Sequence, residues 1–345
     1  MAVTLKDVAR MANVTPTVVS RVLNDSRNAR PSTVRVSEAT AERVRIAANE
    51  LGYRVNVFAR NFRDRQTRTI GVLNGLGLER PRFAKGPRYF ATLMDGIVDG
   101  SFEHGFSVTL CPQLLGEHPE AALSDGRFDG LIWYSIGPSQ ETLQALERCT
   151  MPLVILHAHA EAFGNRYPTV IADNYQGIGL AIDHLTELGH SRIGFMIEPD
   201  APNVESYERL AAYHRHMQQR GLPVSETDVV EVRRDRRAMH VYLSEPTLRH
   251  SAMIVHADGL AGELVGAAQE HGRAVPKDFA IVGFDSTDFC EEIRPNLTSI
   301  SQPLFDLGGS AARQLMKLIG GQTLDPLELV LPCGLDVRGS SMPLR

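Results

Sequence analysis

Along the first 54 residues, apolar positions recur three and four apart. Leu5, Val8, Ala9 and Ala12 form one stripe, Val19, Val22 and Leu23 a second, and Val44, Ala47, Ala48 and Leu51 a third. Residues at this spacing share one side of a helix, so the pattern predicts three amphipathic helices. Their ends are marked too. Thr4 precedes the first stripe, with Asp7 in the capping-box position. Asn13-Val14 make a turn, and Thr15 caps a second helix beginning at Pro16, where a missing N–H costs nothing. Ser37 caps a third helix running from about Glu38 to Leu51, and Gly52 stops it. Two short helices across a tight turn, with a third to bury against, make a helix-turn-helix unit whose second helix can enter a major groove.

From Thr69 the period changes. Short apolar runs predict strands at 70–73, 106–110, 129–134, 152–156, 169–172, 192–196, 228–232, 252–256 and 279–284. Helical stripes lie between them near 89–104, 174–188, 204–220, 238–248 and 259–271. Such alternation predicts parallel α/β sheets, and this many residues predict two similar lobes rather than one core. Two polar stretches separate the regular parts. Residues 24–35 contain Pro31, Arg27 and Arg30 and read as an exposed loop that either meets phosphates or is inert. Residues 55–68 form a linker with a weakly helical patch, 56–63, and with Arg60, Arg63, Arg65 and Arg68. A helix this short is marginal alone and should order only against DNA or a partner chain.

Charge strengthens the division. Residues 1–68 hold 13 Lys and Arg against 6 Asp and Glu, a balance of +7; the whole chain is −5, so the remainder carries −12. A basic head on an acidic body is the electrostatic pattern of a nucleic-acid reader joined to a separate domain. Cys111, Cys149, Cys290 and Cys333 are far apart and read as reduced, buried thiols. No apolar run is long enough for a membrane span and no secretory signal opens the chain, so a cytoplasmic protein without membrane partners is expected. An enzyme on a doubly wound sheet is the main rival. Gly75-Leu76-Gly77 follows a strand, but Arg80 stands where a dinucleotide loop needs its third glycine. No P-loop, nucleophile elbow or metal cluster is present, so neither catalysis nor a cofactor is expected.

Ordered segments along nearly the whole chain resemble the LacI/GalR family of bacterial transcriptional regulators. The head, from Val3-Thr4-Leu5-Lys6-Asp7-Val8-Ala9 to Val18-Val19-Ser20-Arg21-Val22-Leu23-Asn24, resembles that family's opening motif. Ala59-Arg60-Asn61-Phe62-Arg63 is similar to its hinge, and Val282-Gly283-Phe284-Asp285, Pro295-Asn296-Leu297-Thr298-Ser299-Ile300 and Gln302-Pro303 to parts of its core. The resemblance implies an α/β protein: an all-α helix-turn-helix head at 1–54, a hinge helix and linker at 55–68, and a two-lobed periplasmic-binding-protein-like core of parallel sheets at 69–345. It places one lobe at about 69–168 and 301–325 and the other at about 169–300 and 326–345, with crossings near Pro168, Ser301 and Asp325. It further implies a homodimer or higher oligomer on double-stranded operator DNA. A small-molecule effector, carbohydrate-like by analogy, would control a repressor from the interlobe cleft. A regulator driven by a protein corepressor is the alternative.

By resemblance, Pro16, Thr17 and Arg21 read base edges, while Thr15, Ser20 and Asn24 hold phosphates; Thr15 is equally a plain helix cap. Arg60 belongs to the hinge. Phe62 stands where the family usually has Leu, as a wedge for the minor groove or as a residue packed on the core. In the cleft, Tyr89 and Phe90 would face a ring or sugar, Arg209 would grip hydroxyls or an acid, and Asp285 would bind ligand. Asp258 is either a ligand contact or a cap for the helix near Gly259, and Asp173-Asn174 carry the same two readings. His157 stands where several relatives have Asp, and Ala257 where some sugar-binding relatives have Asn.

Overall fold

The computed structural model describes residues 3–24, 36–54, 66–74, 89–111, 126–134, 144, 149–199 and 204–342. The chain forms two compact units, Met1–Thr67 and Arg68–Arg345. The loop at 25–35, the hinge patch with Arg60 and Phe62, and Gly75-Leu76-Gly77 lie outside the described residues.

In the first unit the helices are α1 (Leu5–Met11), α2 (Pro16–Asn24) and α3 (Glu38–Glu50). The capping box forms, with the Thr4 backbone N–H donating to Asp7 at 3.0 Å. Asn13 takes the left-handed conformation that turns α1 into α2. Ser37 accepts the Thr40 N–H at 3.3 Å, and Gly52 closes α3 at φ +64°. The three predicted stripes meet in one small core of Val8, Ala9, Ala12, Val19, Val44, Ala47 and Ala48.

Among the described residues, the second unit forms two six-stranded sheets. One has β1 (Thr69–Asn74), β2 (Ser107–Cys111), β3 (Gly130–Tyr134), β4 (Leu153–Leu156), β5 (Thr169–Ala172) and β11 (Glu328–Leu331), all parallel in the order β11-β5-β4-β3-β1-β2. The other has β6 (Ile193–Ile197), β7 (Val229–Glu231), β8 (Ala252–Val255), β9 (Ala280–Asp285), β10 (Thr298–Ser301) and β12 (Gly334–Asp336). Its order is β12-β10-β9-β8-β6-β7, and only β12 runs antiparallel. The longer helices between strands are α4 (Tyr89–Phe102), α5 (Asn174–Glu187), α6 (Val204–Gln219), α7 (Arg237–Leu243), α8 (Asp258–Glu270), α9 (Phe289–Glu292) and α10 (Leu304–Ile319). Successive strand residues serve opposite faces: Val154 and Leu156 join one core, Leu153 and Ile155 another.

Strand pairing corrects the expected lobe boundaries. Residues 169–172 and 328–331 were expected in the second lobe, but β5 pairs with β4 and with β11 in the first sheet. The chain therefore crosses between β5 and α5, between β10 and α10, and between β11 and β12. A fully buried apolar strand looks the same in either sheet, so its pattern does not reveal its neighbours. The helix expected over 238–248 ends at Leu243, because Pro246 has no N–H to continue it.

No element was expected for 302–327, yet α10 packs closely on α4. A Cβ on Gly96 would strike the Phe305 backbone, and one on Gly308 would strike the Leu93 backbone. Backbone meets backbone at this crossing, which only glycine permits.

Candidate functional site

Two places carry chemistry. On the head, Thr15, Pro16 and Thr17 are exposed at the start of α2, and Ser20 and Arg21 are half-buried one turn on. Thr15 stands at the helix start, its carbonyl accepting from Val18 and Val19 N–H at 3.0 and 3.2 Å. Val19, Val22 and Leu23 point into the head core, which leaves the Thr17–Arg21 side outward. Asn24 closes the helix.

The second place lies where strand ends of the two sheets face each other. Arg209, on α6, is its centre and is 2% exposed. Its Nε donates to Asn174 Oδ1 at 2.9 Å and one terminal nitrogen donates to the His256 carbonyl at 2.6 Å. Asp285 lies 3.7 Å and Glu205 3.9 Å from its terminal nitrogens, and the guanidinium stacks 3.7 Å over the Phe284 ring. Asp285 also accepts from Gln302 Nε2 at 2.7 Å. From the other lobe come Tyr89, at the start of α4, Tyr134, ending β3, and His157, just past β4. The Tyr89 hydroxyl is 3.0 Å from His157 Nε2, and His157 Nδ1 is 3.1 Å from Glu205 Oε1. Tyr134 meets His157 edge-on at 5.3 Å and Phe90 at 5.7 Å between ring centroids.

The electrostatics set these carboxylates apart. Burial pushes Glu205 up, but the His157 charge and hydrogen bond, Arg209 and Asn174 outweigh it and bring it to about 2. Burial pushes Asp285 well above the ordinary range, helped by Asp258 and Glu205 and opposed by Arg209 and Gln302. One carboxyl is therefore held as an acceptor, while burial pushes the other in the opposite direction. His157, Asp285 and Ser286 all take positive φ, at 63°, 118° and 49°. Such conformations persist only where surroundings enforce them, and they cluster at ligand sites. Among the described residues, buried His256 Nε2 and Gln302 Oε1 lack hydrogen-bond partners, a need that a polar ligand or water would meet.

Of the expected cleft residues, Tyr89, Phe90, His157, Arg209 and Asp285 come together. Asp258 does not join them. It is fully buried, accepting from Ser299 Oγ at 2.6 Å, Thr287 N–H at 3.1 Å and Cys290 Sγ at 3.1 Å. It is also the first residue of α8 rather than its cap, so it ties α8 to the β9–β10 side of its own lobe. Asp173 caps α5 through Gln176 N–H at 2.8 Å, while Asn174 bridges Arg209 and Glu208. Sequence reading omitted Tyr134, Glu205 and Gln302. The i,i+4 spacing of Glu205 and Arg209 was the available signal for one of them.

Five buried or half-buried histidines of the same lobe, His184, His190, His216, His250 and His256, are each held below the ordinary range by burial first. His256 is brought down to about 3, with Arg209 and Arg236 adding to burial. At these five positions the unfolded chain therefore binds more protons than the folded one below an unfolded pKa of about 6.5, and together they outnumber the opposite contribution of His159, Asp258 and Asp285, which are held up. The stability these five contribute is fully present above that pH and drains as pH falls toward the folded values. We expect the melting temperature of the core to drop by several degrees between pH 7 and 5, with proton uptake on unfolding. Calorimetry in buffers of different ionisation enthalpy checks this; a flat profile would refute it.

Comparison with known proteins gives a consistent picture. A family model described as bacterial regulatory proteins, lacI family, matches residues 4–56, and a periplasmic binding protein-like domain matches 182–341. The chain is 31% identical to catabolite control protein A of Priestia megaterium, covering 99% of this chain and 100% of that protein. It is 30% identical to the ribose operon repressor of Escherichia coli (strain K12), covering 98% and 99%. Among solved structures it resembles the lac repressor dimer bound to operator and the anti-inducer ONPF, at 26% identity and TM-score 0.81 over 99% and 100% of the two chains. It also resembles a CelR–cellobiose complex, at 29% identity and TM-score 0.70 over 98% and 100%.

Proposed function

The chain belongs to the lacI family of bacterial regulatory proteins, and on that premise we propose that it is a repressor. Two copies grip an operator through their heads and release it when a neutral polyol, a sugar or sugar derivative, fills the cleft of the core. The observation that carries the effector half is the Arg209 cluster. Two carboxyl groups and a guanidinium converge beside Tyr89, Phe90 and Tyr134. Paired hydroxyls suit such alternating donors and acceptors, and aromatic faces suit a sugar ring. A strongly anionic ligand would meet two acidic residues for one arginine. The cellobiose complex of CelR supports the sugar reading by what it holds, and the ribose operon repressor by the operon it is named for.

Arg21 and Thr17 read base edges, Thr15, Ser20 and Asn24 hold phosphates, and Pro16 offers apolar contact alone. Arg60 and Phe62 act from the hinge, with Phe62 as a wedge between base pairs. Effector and operator are coupled, so each lowers the other's affinity by the same factor. No catalytic step is proposed; the relatives are regulators.

The test is operator selection from random duplex DNA, then fluorescence anisotropy with and without sugars found by thermal shift. Selected DNA should bind far more tightly than random DNA and be released by a stabilising sugar. Failure to select any sequence would sink the repressor reading. Phe62→Ala should weaken the selected operator by about tenfold or more, at a wedge cost of a few kcal/mol per unstacked step, while sparing random DNA. Unchanged operator affinity in that variant would remove the wedge.

A further inference from the structure

A second pair of residues crosses between the lobes beside the first. His157 and His159 follow β4 in one lobe, while Glu205 and Glu208 lie one turn apart on α6 in the other. The inner rung, His157–Glu205, is buried, with side chains 3% and 5% exposed; the outer rung, His159 Nε2 to Glu208 Oε1 at 3.3 Å, is 48% and 25% exposed. The two ends of the outer rung are anchored differently. His159 Nδ1 also meets Glu328 at 3.1 Å, and Glu328 is fixed to its own lobe by the Ala160 N–H at 2.9 Å. Glu208 is fixed to the opposite lobe by Asn174 Nδ2 at 2.8 Å.

This geometry imposes a protonation state. His159 faces a carboxylate on each side, a hydrogen bond to Glu328 and a 3.3 Å ion pair with Glu208, and the ion pair holds only while the ring is charged. A neutral ring keeps one N–H, which the firmly held Glu328 retains. An uncharged lone pair then faces the Glu208 carboxylate, and the ion pair that spans the lobes is the contact that is lost. The inner rung behaves differently. Glu205 accepts from Nδ1–H of His157 whether or not Nε2, facing Tyr89, is protonated. We propose that His159 and Glu208 form a proton-operated clamp on the effector cleft, so that hydrogen ion acts as a second effector that favours lobe closure.

The charged groups facing His159 agree in sign. Glu161 comes from its own segment, Glu208 from α6 and Glu328 from β11; burial pulls the imidazole down, but these carboxylates outweigh it and hold it above the ordinary range. Around His157 stand Tyr89, Tyr134 and Glu205, with Arg209 and Asp285 behind. A group held up in the closed form stabilises closure below its closed-state pKa and loses that contribution as pH rises through it. The clamp also reaches the ligand site, because the Asn174 that steadies Glu208 accepts from Arg209 as well.

The experiment is small-angle scattering of the full-length protein without ligand between pH 6 and 8.5, with NMR titration of the imidazole signals. Wild type should become more compact as pH falls, the closed-to-open ratio changing by at most about tenfold per pH unit for one linked proton. Glu208→Gln and His159→Gln should each keep the open profile seen at pH 8.5. The His159 resonance should titrate above the ordinary range in wild type and return toward it in Glu208→Gln. A wild-type profile that does not move with pH overturns the clamp, even if the local NMR shift is present. So do variants that follow wild type. The clamp rests on the two-lobed core and not on the identity of the ligand. Its failure would leave operator selection and sugar release untouched, and their failure would leave this measurement intact.

Discussion

Replacing Arg209 by Leu should cost the core about 3–5 kcal/mol, the usual effect of removing one partner from a buried, hydrogen-bonded charge cluster. Arg209 is 2% exposed, and its guanidinium serves Asn174, the His256 carbonyl, Glu205 and Asp285 while stacking on Phe284. Leucine restores apolar volume but leaves Asp285 without its cation and the His256 carbonyl without a donor. Asp285, already pushed up by burial, would move further toward the protonated form; Glu205 would keep His157. Lysine should rescue little, since one ammonium cannot reproduce a planar fork that meets Asn174 and a backbone carbonyl together. Urea unfolding measures the loss, and thermal shift with the releasing sugar measures the response, which should vanish. The head core shares no residue with this cluster, so non-specific DNA binding should persist. A variant within about 1 kcal/mol of wild type, below even the low end of that range, would show that Arg209 does not hold the cleft together.

Arg21→Ala is expected to weaken operator binding by about 5- to 150-fold, the 1–3 kcal/mol of a bidentate guanine contact. The head should stay folded, because Val8, Val19 and Val44, not Arg21, fill its core. The diagnostic feature is where the loss falls. A base-edge contact costs affinity for the selected sequence and relaxes choice at one position. A phosphate contact weakens all sequences alike and lowers the salt slope by about one. Anisotropy on selected and random duplexes at several salt concentrations separates the two. Equal binding by wild type and Arg21→Ala would end the assigned role.

How much was legible in the sequence varies by element. The head was readable because its signals are local: helical spacing, Thr4 with Asp7, and Ser37 are all decided within a turn or two. In the core, strand and helix positions were mostly readable for the same reason, except where Pro246 cut α7 short and where β10, α10, β11 and β12 passed unmarked. Membership of the sheets was not. β5 and β11 carry ordinary apolar runs, and only hydrogen bonding to β4 and to each other puts them in the first sheet. The candidate cleft divides the same way. Tyr89, Phe90, Arg209 and Asp285, expected there by likeness, come together, whereas Asp258, a similar acid at a strand end, is consumed by Ser299, Thr287 and Cys290.

By itself, then, the chain determined most of its helices and strands and the contrast between a basic head and an acidic body, since each depends on neighbours within a few residues. Only the tertiary structure decided which strands share a sheet and which acid stands beside Arg209. It alone decided, too, that His157 and His159 meet Glu205 and Glu208 across the cleft. Those pairs lie 48 and 49 positions apart, brought together by sheet order and by the crossing after β5. Their protonation and burial belong to that meeting, and no local pattern encodes it.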